Sequence, residues 1–376
     1  MYRYLTPLIT NDLKSKMVFL GGPRQVGKTT LAISFLKDGH PEHPAYINWD
    51  LWLDKEKLIK GDLPKEPILI FDEIHKYSNW RNLVKGFYDK YKLKTKFIVT
   101  GSANLDYYHK GGESLMGRVH SYRLHPFSLN ELSSKGNAKD LETLLKFGGF
   151  PEPLFAQNEQ SWRRWQRERI KRVMQDDLQS LENIKEISQM ELLISMLPNR
   201  VGSMLSLNSL REFLNCSHAS VDKWLLIAEH LYLIFRIPPY IHKNERAIKK
   251  EKKLYMWDWS MCENEGARFE NLVASHLLKY CHLIEDSEGY DMQLHYCRDR
   301  EGREVDFIIT RDKKIEFAVE CKLQDTTPSK HLSYFRDRLK IPKCYQVHLG
   351  LEDFGDEDLG IRVLPFWKLS KELNLV

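Results

Sequence analysis

The sequence predicts an α/β chain of several domains, with a parallel sheet near its start. Three observations carry that expectation. Short apolar runs with β-branched residues, MVFL at 17–20, ILIF at 68–71 and the core of KFIVT at 96–100, read as buried strands. Amphipathic helical stretches follow the first two of them. The chain has 376 residues, more than one ordinary compact domain, so two or three domains are expected.

The first run leads into GPRQVGKT at 22–29, which fits G-x-x-x-x-G-K-[ST] at every fixed position. Gly22 and Gly27 let the backbone curl so that its N–H groups point into a phosphate. Lys28 would set an ammonium on the β- and γ-phosphates, and Thr29 a hydroxyl on magnesium. Gly22, Pro23, Arg24, Gln25, Val26, Gly27, Lys28, Thr29 and Thr30 are therefore the expected ATP-contacting stretch. In the helix that follows, Leu31, Ala32, Phe35 and Leu36 share one face, and Gly39 is the expected C-cap. A helix N-terminus here favours an anion.

PILIFDEIHK at 67–76 supplies the second half of the site. Asp72 stands at the carboxyl end of a strand, the edge where ligands bind in open α/β sheets. It is the expected magnesium carboxylate, and Glu73 the residue that orients and polarises the attacking water. Ser78 or Asn79 can cap the next helix, in which Trp80, Leu83, Val84, Phe87, Tyr88 and Tyr91 form a packing face. The run KFIVTGSAN at 96–104 is a third strand ending in small polar residues.

Together these motifs resemble AAA-type ATPases, in which a polar residue after the third such strand senses the γ-phosphate. The resemblance implies that role for Ser102, with Asn104 the lesser match. SLMGRVHSYRLHPFSLNEL at 114–132 and FGGFPEP at 147–153 resemble one prokaryotic AAA-type family. There an arginine after a glycine serves near the phosphates of a neighbouring subunit. Arg118 is the match, which implies a homo-oligomer; a structural ion pair is the other reading of Arg118.

Charge is uneven. The net charge is +5, yet 161–172 (SWRRWQRERIKR) and 241–253 (IHKNERAIKKEKK) together carry +9, leaving −4 for the rest. Such patches attract polyanions or are simply solvated surface. Residues 154–200 read as a helical, lid-like region, with Trp162, Trp165, Arg169 and Val173 on one packing side. Residues 201–258 read as a winged helix-turn-helix. Leu207, Leu210 and Leu214 line one helix, NCSH at 215–218 is the turn, and Val221, Trp224, Leu225 and Ala228 line the next. HLYLIFRI and LYMWD then flank a lysine-rich wing. The second helix would expose Ser217, His218, Ser220, Asp222 and Lys223, of which one is a firm cation. The expected partner is DNA, met by the basic helix 161–172 and the basic wing 241–253 through phosphate contacts. Winged helices also serve as protein-interaction modules.

Farther on, GARFENLVASHLLKY at 266–280 turns Phe269, Leu272, Val273, His276, Leu277 and Tyr280 inward, with Glu270 at the margin. EVDFII at 304–309 and KIEFAVECKL at 314–323 read as two strands. Alternation in the second places Ile315, Phe317, Val319 and Cys321 on the core face, and Glu316, Ala318, Glu320 and Lys322 opposite. Thr327 is the expected cap of the next helix, and CYQVHLG at 344–350 a further strand. An Asp, then Glu-x-Lys on a paired strand, with a helical Glu ahead, resembles the PD-(D/E)xK nuclease superfamily. The resemblance implies Asp306 and Glu320 as metal ligands, Lys322 as the catalytic lysine and Glu270 as an auxiliary ligand. EVD stands where the proline of that motif's name would be. A solvated Glu–Lys pair on an amphipathic strand is the bland reading.

The expected architecture is thus a P-loop ATPase domain at 1–153, a helical region at 154–200, a winged helix at 201–258 and a restriction-endonuclease-like α/β domain at 259–376. It implies an ATPase acting on branched or broken DNA. A different class of function, an ATP-dependent switch that recruits a partner and carries an inactive nuclease-like domain, fits the same residues. No run of 18 apolar residues suggests a membrane span, and the first sixteen residues lack the apolar core of a signal peptide, so the expected location is the cytoplasm. The six cysteines form no C-x-x-C pair and are expected as free, buried thiols.

Overall fold

The computed structural model describes residues 3–101, 115–132, 137–174, 187–241, 251–324, 327–355 and 360–375. The chain divides into two compact units, Met1–His125 and Pro126–Val376.

In the first unit, β1 (Met17–Gly21), β2 (Tyr46–Asn48), β3 (Ile68–Asp72), β4 (Lys96–Thr100) and β5 (Val119–Arg123) form one sheet in the order β2-β3-β4-β1-β5. Every pairing is parallel. The central strands are apolar along their middles because both their faces are covered: Val18, Leu20, Ile70, Ile98 and Val99 are fully buried. The edge strands were silent in the sequence, since β2 has only three residues and β5 (VHSYR) buries Tyr122 alone. The helix after the phosphate loop runs from Lys28 to Ile33 and stops short of Gly39. Ser34 follows it, and its hydroxyl donates to the Leu31 carbonyl at 2.6 Å, a local bond that competes with helix continuation. The helix Trp80–Tyr91 buries Trp80, Val84, Phe87 and Tyr88 as expected, starting from Asn79.

The second unit begins earlier than the boundary expected at 153. The FGGFPEP segment packs on Phe127, whose N–H donates to the Gly149 carbonyl at 2.7 Å. A Cβ on Gly149 would lie 2.6 Å from the Phe127 carbonyl oxygen, so the approach needs glycine. Helices Ala138–Phe147, Pro151–Ala156 and Glu159–Arg172 follow. Helices Leu207–Leu214 and His218–His230 are joined through Asn215 (φ 48°) and Ser217, whose hydroxyl caps the Ser220 N–H. Then β6 (Ile234–Ile237) pairs antiparallel with β7 (Lys253–Met256). Residues 242–250, the expected wing tip, lie outside the described residues.

A second sheet has the order β12-β11-β10-β9-β8, from β8 (Met292–Arg298), β9 (Glu304–Arg311), β10 (Lys314–Cys321), β11 (Cys344–His348) and β12 (Ile361–Pro365). β8, β9 and β10 run antiparallel, and β10, β11 and β12 parallel. The long helix Glu265–Glu288 packs on it. The expected two-faced pattern of β10 does not hold. Ala318 and Glu320 are buried along with Phe317 and Val319, while Ile315 and Cys321 are half-buried. The helix Lys330–Leu339 covers the second face, with Leu332 and Phe335 against Ile308 and Ala318, and the register slips between Ile315 and Phe317. That helix is capped by Ser329 rather than Thr327. The six cysteines are thiols rather than disulfides; Cys262, Cys281, Cys297 and Cys344 are buried, Cys216 and Cys321 half-buried. Among the described residues no helix is long and apolar enough to cross a membrane.

Candidate functional site

The first unit gathers its site at the carboxyl ends of β1, β3 and β4. Gly22 (φ 140°) and Gly27 (φ 98°) take conformations that L side chains rarely adopt, and Gln25 is left-handed at φ 63°. A Cβ on Gly22 would meet the Leu124 carbonyl oxygen at 2.4 Å. Arg3, buried, donates to the Val26 carbonyl at 3.1 Å and to the His125 carbonyl, and so braces the loop from below. The Lys28 ammonium, also buried, donates to the loop carbonyls of Gly22 and Pro23 at 2.9 and 2.8 Å. It is thereby held inside the curl, where a bound phosphate would take it.

Asp72 is almost fully buried and caged by hydroxyls. Thr29 Oγ1 donates to one carboxylate oxygen at 2.9 Å, Tyr46 Oη donates to the same oxygen at 2.7 Å, and Thr100 Oγ1 donates to the other. The parallel register explains the cage, because Asp72 pairs with Thr100 on β4 and with Asn48, two residues past Tyr46, on β2. Burial and the facing Asp72 charge hold the Tyr46 phenol protonated well above its ordinary range. Tyr46, Thr100 and Arg3 escaped the sequence reading, since only sheet pairing or chain packing brings them to the loop.

Glu73 is left-handed at φ 55°, held by its N–H to the Thr100 carbonyl. Burial, then the neighbouring Asp72 charge, raise its carboxyl above the usual range, against the pull of Lys28 and Lys76. One of its oxygens is buried with no hydrogen-bond partner. The His75 ring lies 3.5 Å away, but burial pushes His75 down to about 4, so this is a polar contact rather than an ion pair. These residues fit magnesium and a triphosphate: a glycine curl, a buried ammonium, a hydroxyl and a carboxylate on one atom pair, and an unsatisfied carboxylate oxygen beside them.

Arg118 pairs bidentately with Asp89, Nε to Oδ1 at 2.9 Å and Nη2 to Oδ2 at 3.2 Å. It precedes β5, where Met17 at the start of β1 accompanies Val119, whereas the phosphate loop leaves the other end of β1 at Gly21. Four strand residues, at about 3.3 Å each, separate those edges. Ser102 lies outside the described residues.

In the second unit, the basic stretches are less free than their charge suggests. Arg169 is buried, with its guanidinium 4.1 Å from the Phe150 ring centre and a bond to the Tyr232 carbonyl. Arg163, Arg164, Arg167, Lys171 and Arg172 stay exposed. Lys253, counted with the wing, is turned inward and buried.

The expected nuclease set is brought together, but around that lysine. Lys253 Nζ stands 2.5 Å from Glu304, 3.4 Å from Glu270 and 3.6 Å from Asp306. Tyr255 Oη donates to Glu270 at 2.7 Å. Burial opposes the Lys253 charge, yet Glu270, Asp306 and Glu304 outweigh it and hold the ammonium above its usual range. Burial, then Asp306, raise the Glu270 carboxyl to about 7. Beside this, Glu320 pairs with Lys322 at 2.9 Å and accepts the Asp306 N–H, while Asp306 accepts the Cys321 N–H at 2.9 Å. Glu320 is likewise raised, by burial and then by Asp306. Among the described residues no group of three His, Cys, Asp or Glu side chains is placed to hold a metal ion. Glu270 and Asp306 face the Lys253 ammonium instead, and Glu320 the Lys322 ammonium. Glu304 and Lys253 were missed as members of the cluster; the acidic EVD in place of a proline was the only sign of the former.

Comparison with known proteins adds the following. An AAA domain family matches residues 14–133, and two domains of unknown function, DUF8612 and DUF4143, match 138–265 and 265–369. An uncharacterized protein of Methanocaldococcus jannaschii is 25% identical over 413 residues, spanning 96% of this chain and 91% of that one. An uncharacterized protein of Mycobacterium tuberculosis is 22% identical over 254 residues, spanning 65% of this chain and 55% of that one. Among solved structures, the RuvB Holliday junction branch migration motor of Thermotoga maritima is similar at 14% identity, over 62% of this chain and 87% of that one, with a TM-score of 0.32. The Aeropyrum pernix ORC1 protein in complex with DNA is similar at 13% identity, over 72% and 90%, also with a TM-score of 0.32. Such low scores carry no functional argument. The family match and the loop geometry agree that residues 14–133 hold an AAA-type P-loop domain.

Proposed function

We propose that this chain binds ATP with magnesium, hydrolyses it, and does so while acting on DNA. The observation that carries the ATPase reading is the placement of the Thr29 hydroxyl on a buried, hydroxyl-caged Asp72 beside the Lys28 loop. Loop amides from Gly22 to Thr30 bind the phosphates, and Lys28 neutralises the β- and γ-oxygens. Thr29 and Asp72 would hold the magnesium, which would further neutralise phosphate charge. Glu73, with its raised carboxyl and unsatisfied oxygen, orients the water and draws its proton. Ser102 reads the γ-phosphate. Arg118 acts on the site of a neighbouring copy in a homo-oligomer, since it lies at the far sheet edge from its own loop.

In the same reading, 1–153 is the ATPase part, 154–200 a lid-like region, 201–258 a winged helix and 259–376 a nuclease-like domain. The exposed cations of the helix Glu159–Arg172 and the lysine-rich stretch up to Lys252 contact DNA phosphates, without reading sequence. The test is the ATPase rate with and without duplex, forked and four-way DNA, beside binding over a salt series. Lys28→Ala should lower the rate by about 100-fold or more. DNA should raise it, with affinity falling steeply as salt rises. No binding to any of these DNAs at low salt would sink the DNA reading and leave the ATPase reading standing.

A second reading is favoured by one observation, the buried lysine among the nuclease-set carboxylates. It makes the chain an ATP-dependent conformational switch that recruits a protein partner, with an inactive nuclease-like domain. It predicts an ATPase rate indifferent to DNA.

A further inference from the structure

We propose that the Lys253 ammonium is the resident cation of the Glu270–Glu304–Asp306 cluster and occupies the place of a divalent metal, so that the second unit takes up no such ion there and breaks no phosphodiester bond. This stands independently of the ATPase reading.

The geometry gives the reason. Lys253 opens β7 and is 2% exposed, so its charge has no access to bulk water. A buried ammonium persists only where carboxylates face it, and three do, at 2.5 to 3.6 Å. Magnesium binds oxygen at about 2.0–2.1 Å and insists on near-octahedral geometry. An ion at that range from Glu270 and Asp306 would overlap the ammonium between them. Other contacts hold the same carboxylates, and Asp306 accepts the Cys321 N–H at 2.9 Å. Glu304 reaches Arg298 at 2.8 Å, and Glu270 accepts the Tyr255 hydroxyl. Glu320, the last acid of the set, has Lys322 as its own cation.

The cation also ties two stretches of chain together. Lys253 belongs to the stretch 138–265, and Glu270, Glu304 and Asp306 belong to 265–369. A permanent lysine therefore locks β7 onto the long helix and β9, in the way a structural metal locks a small domain. Carboxylates of the kind that could hold a metal serve cohesion instead.

Manganese uptake by the full chain without nucleotide, followed by electron paramagnetic resonance, tests this. In the otherwise native chain, Asp306→Asn should leave manganese uptake unchanged. Lys253→Met, which keeps the aliphatic volume and removes the charge, should add an equivalent of bound manganese. Lys253→Met combined with Asp306→Asn should lose it again. A fall in uptake on Asp306→Asn alone would overturn the proposal, and so would a folded Lys253→Met protein that gains nothing. If Lys253→Met does not fold, the Asp306→Asn comparison decides by itself. Supercoiled DNA incubated with the native chain and manganese should stay intact, and a nick abolished by Asp306→Asn would also overturn the idea.

Discussion

Among the described residues, two of the buried carboxylate sites are satisfied in opposite ways. Asp72 in the first unit is surrounded by the hydroxyls of Thr29, Tyr46 and Thr100. Those dipoles orient the carboxylate toward the phosphate loop, where a cation from outside would meet it. Glu270, Glu304 and Asp306 in the second unit face an ammonium of their own chain. Here part of the charge is already met from within the chain. Acidic residues at a strand end thus say little about metal binding until the partner is known. Neutral donors mark a site kept open, and a cation marks one that is closed.

The largest expected effect tests the closed site. Lys253→Ala removes the ammonium that faces three carboxylates and should cost about 3–5 kcal/mol of stability, the usual loss when one member of a buried ion pair is deleted. Urea denaturation reads it. Asp72→Asn, by contrast, removes a charge that three hydroxyls attend, and should cost less, about 1–3 kcal/mol. Equal losses at the two positions would break the comparison. A smaller effect tests the open site. Tyr46→Phe deletes one hydroxyl that orients Asp72, and should weaken magnesium-dependent ATP binding by about 10-fold, in the range known for residues that position metal ligands. Tyr255→Phe, the matching change at Glu270, should leave ATP binding unaltered. Calorimetric titration of ATP with and without magnesium distinguishes the outcomes.

How far the sequence spoke depended on whether the signal was contiguous. The phosphate loop is eight adjacent residues, so covalent spacing alone fixes Gly22, Gly27, Lys28 and Thr29 relative to one another, and Asp72 follows from one apolar run. Tyr46 and Thr100 reach Asp72 only through parallel pairing of β2, β3 and β4, and no local pattern encodes that. Charge counting misled at Lys253, because a lysine beginning a strand looks the same whether it faces water or carboxylates. At Arg169 the warning was present: it shares the stripe of Trp162, Trp165 and Val173, and that face is the one packed inward. The two-faced burial of β10 was hidden for a similar reason. Its covering helix Lys330–Leu339 lies downstream, and the alternation of β10 was read without it.

Histidines sharpen the same contrast with the smallest effect. His75 and His276 are both pushed down to about 4 by burial. His75 has a ring nitrogen without a hydrogen-bond partner, whereas His276 uses both: Nδ1 meets the Leu272 carbonyl at 2.8 Å, and Nε2 accepts the Leu129 N–H at 3.0 Å. The acceptor nitrogen of His276 cannot take a proton without losing that bond. Its folded value lies below the unfolded 6.5, so between the two the unfolded chain binds the extra proton. The contribution is complete above 6.5 and is lost progressively as pH falls toward about 4. From pH 7 to pH 5 the loss should be about 1–2 kcal/mol. Amide hydrogen exchange along the helix Glu265–Glu288 reports it locally. His276→Gln, which keeps an acceptor and a donor but does not titrate, should remove that part of the pH dependence. An unchanged pH dependence in the variant would place the sensitivity elsewhere, in the carboxylates around Lys253, and would show that the closed site is less firmly neutralised than its geometry implies.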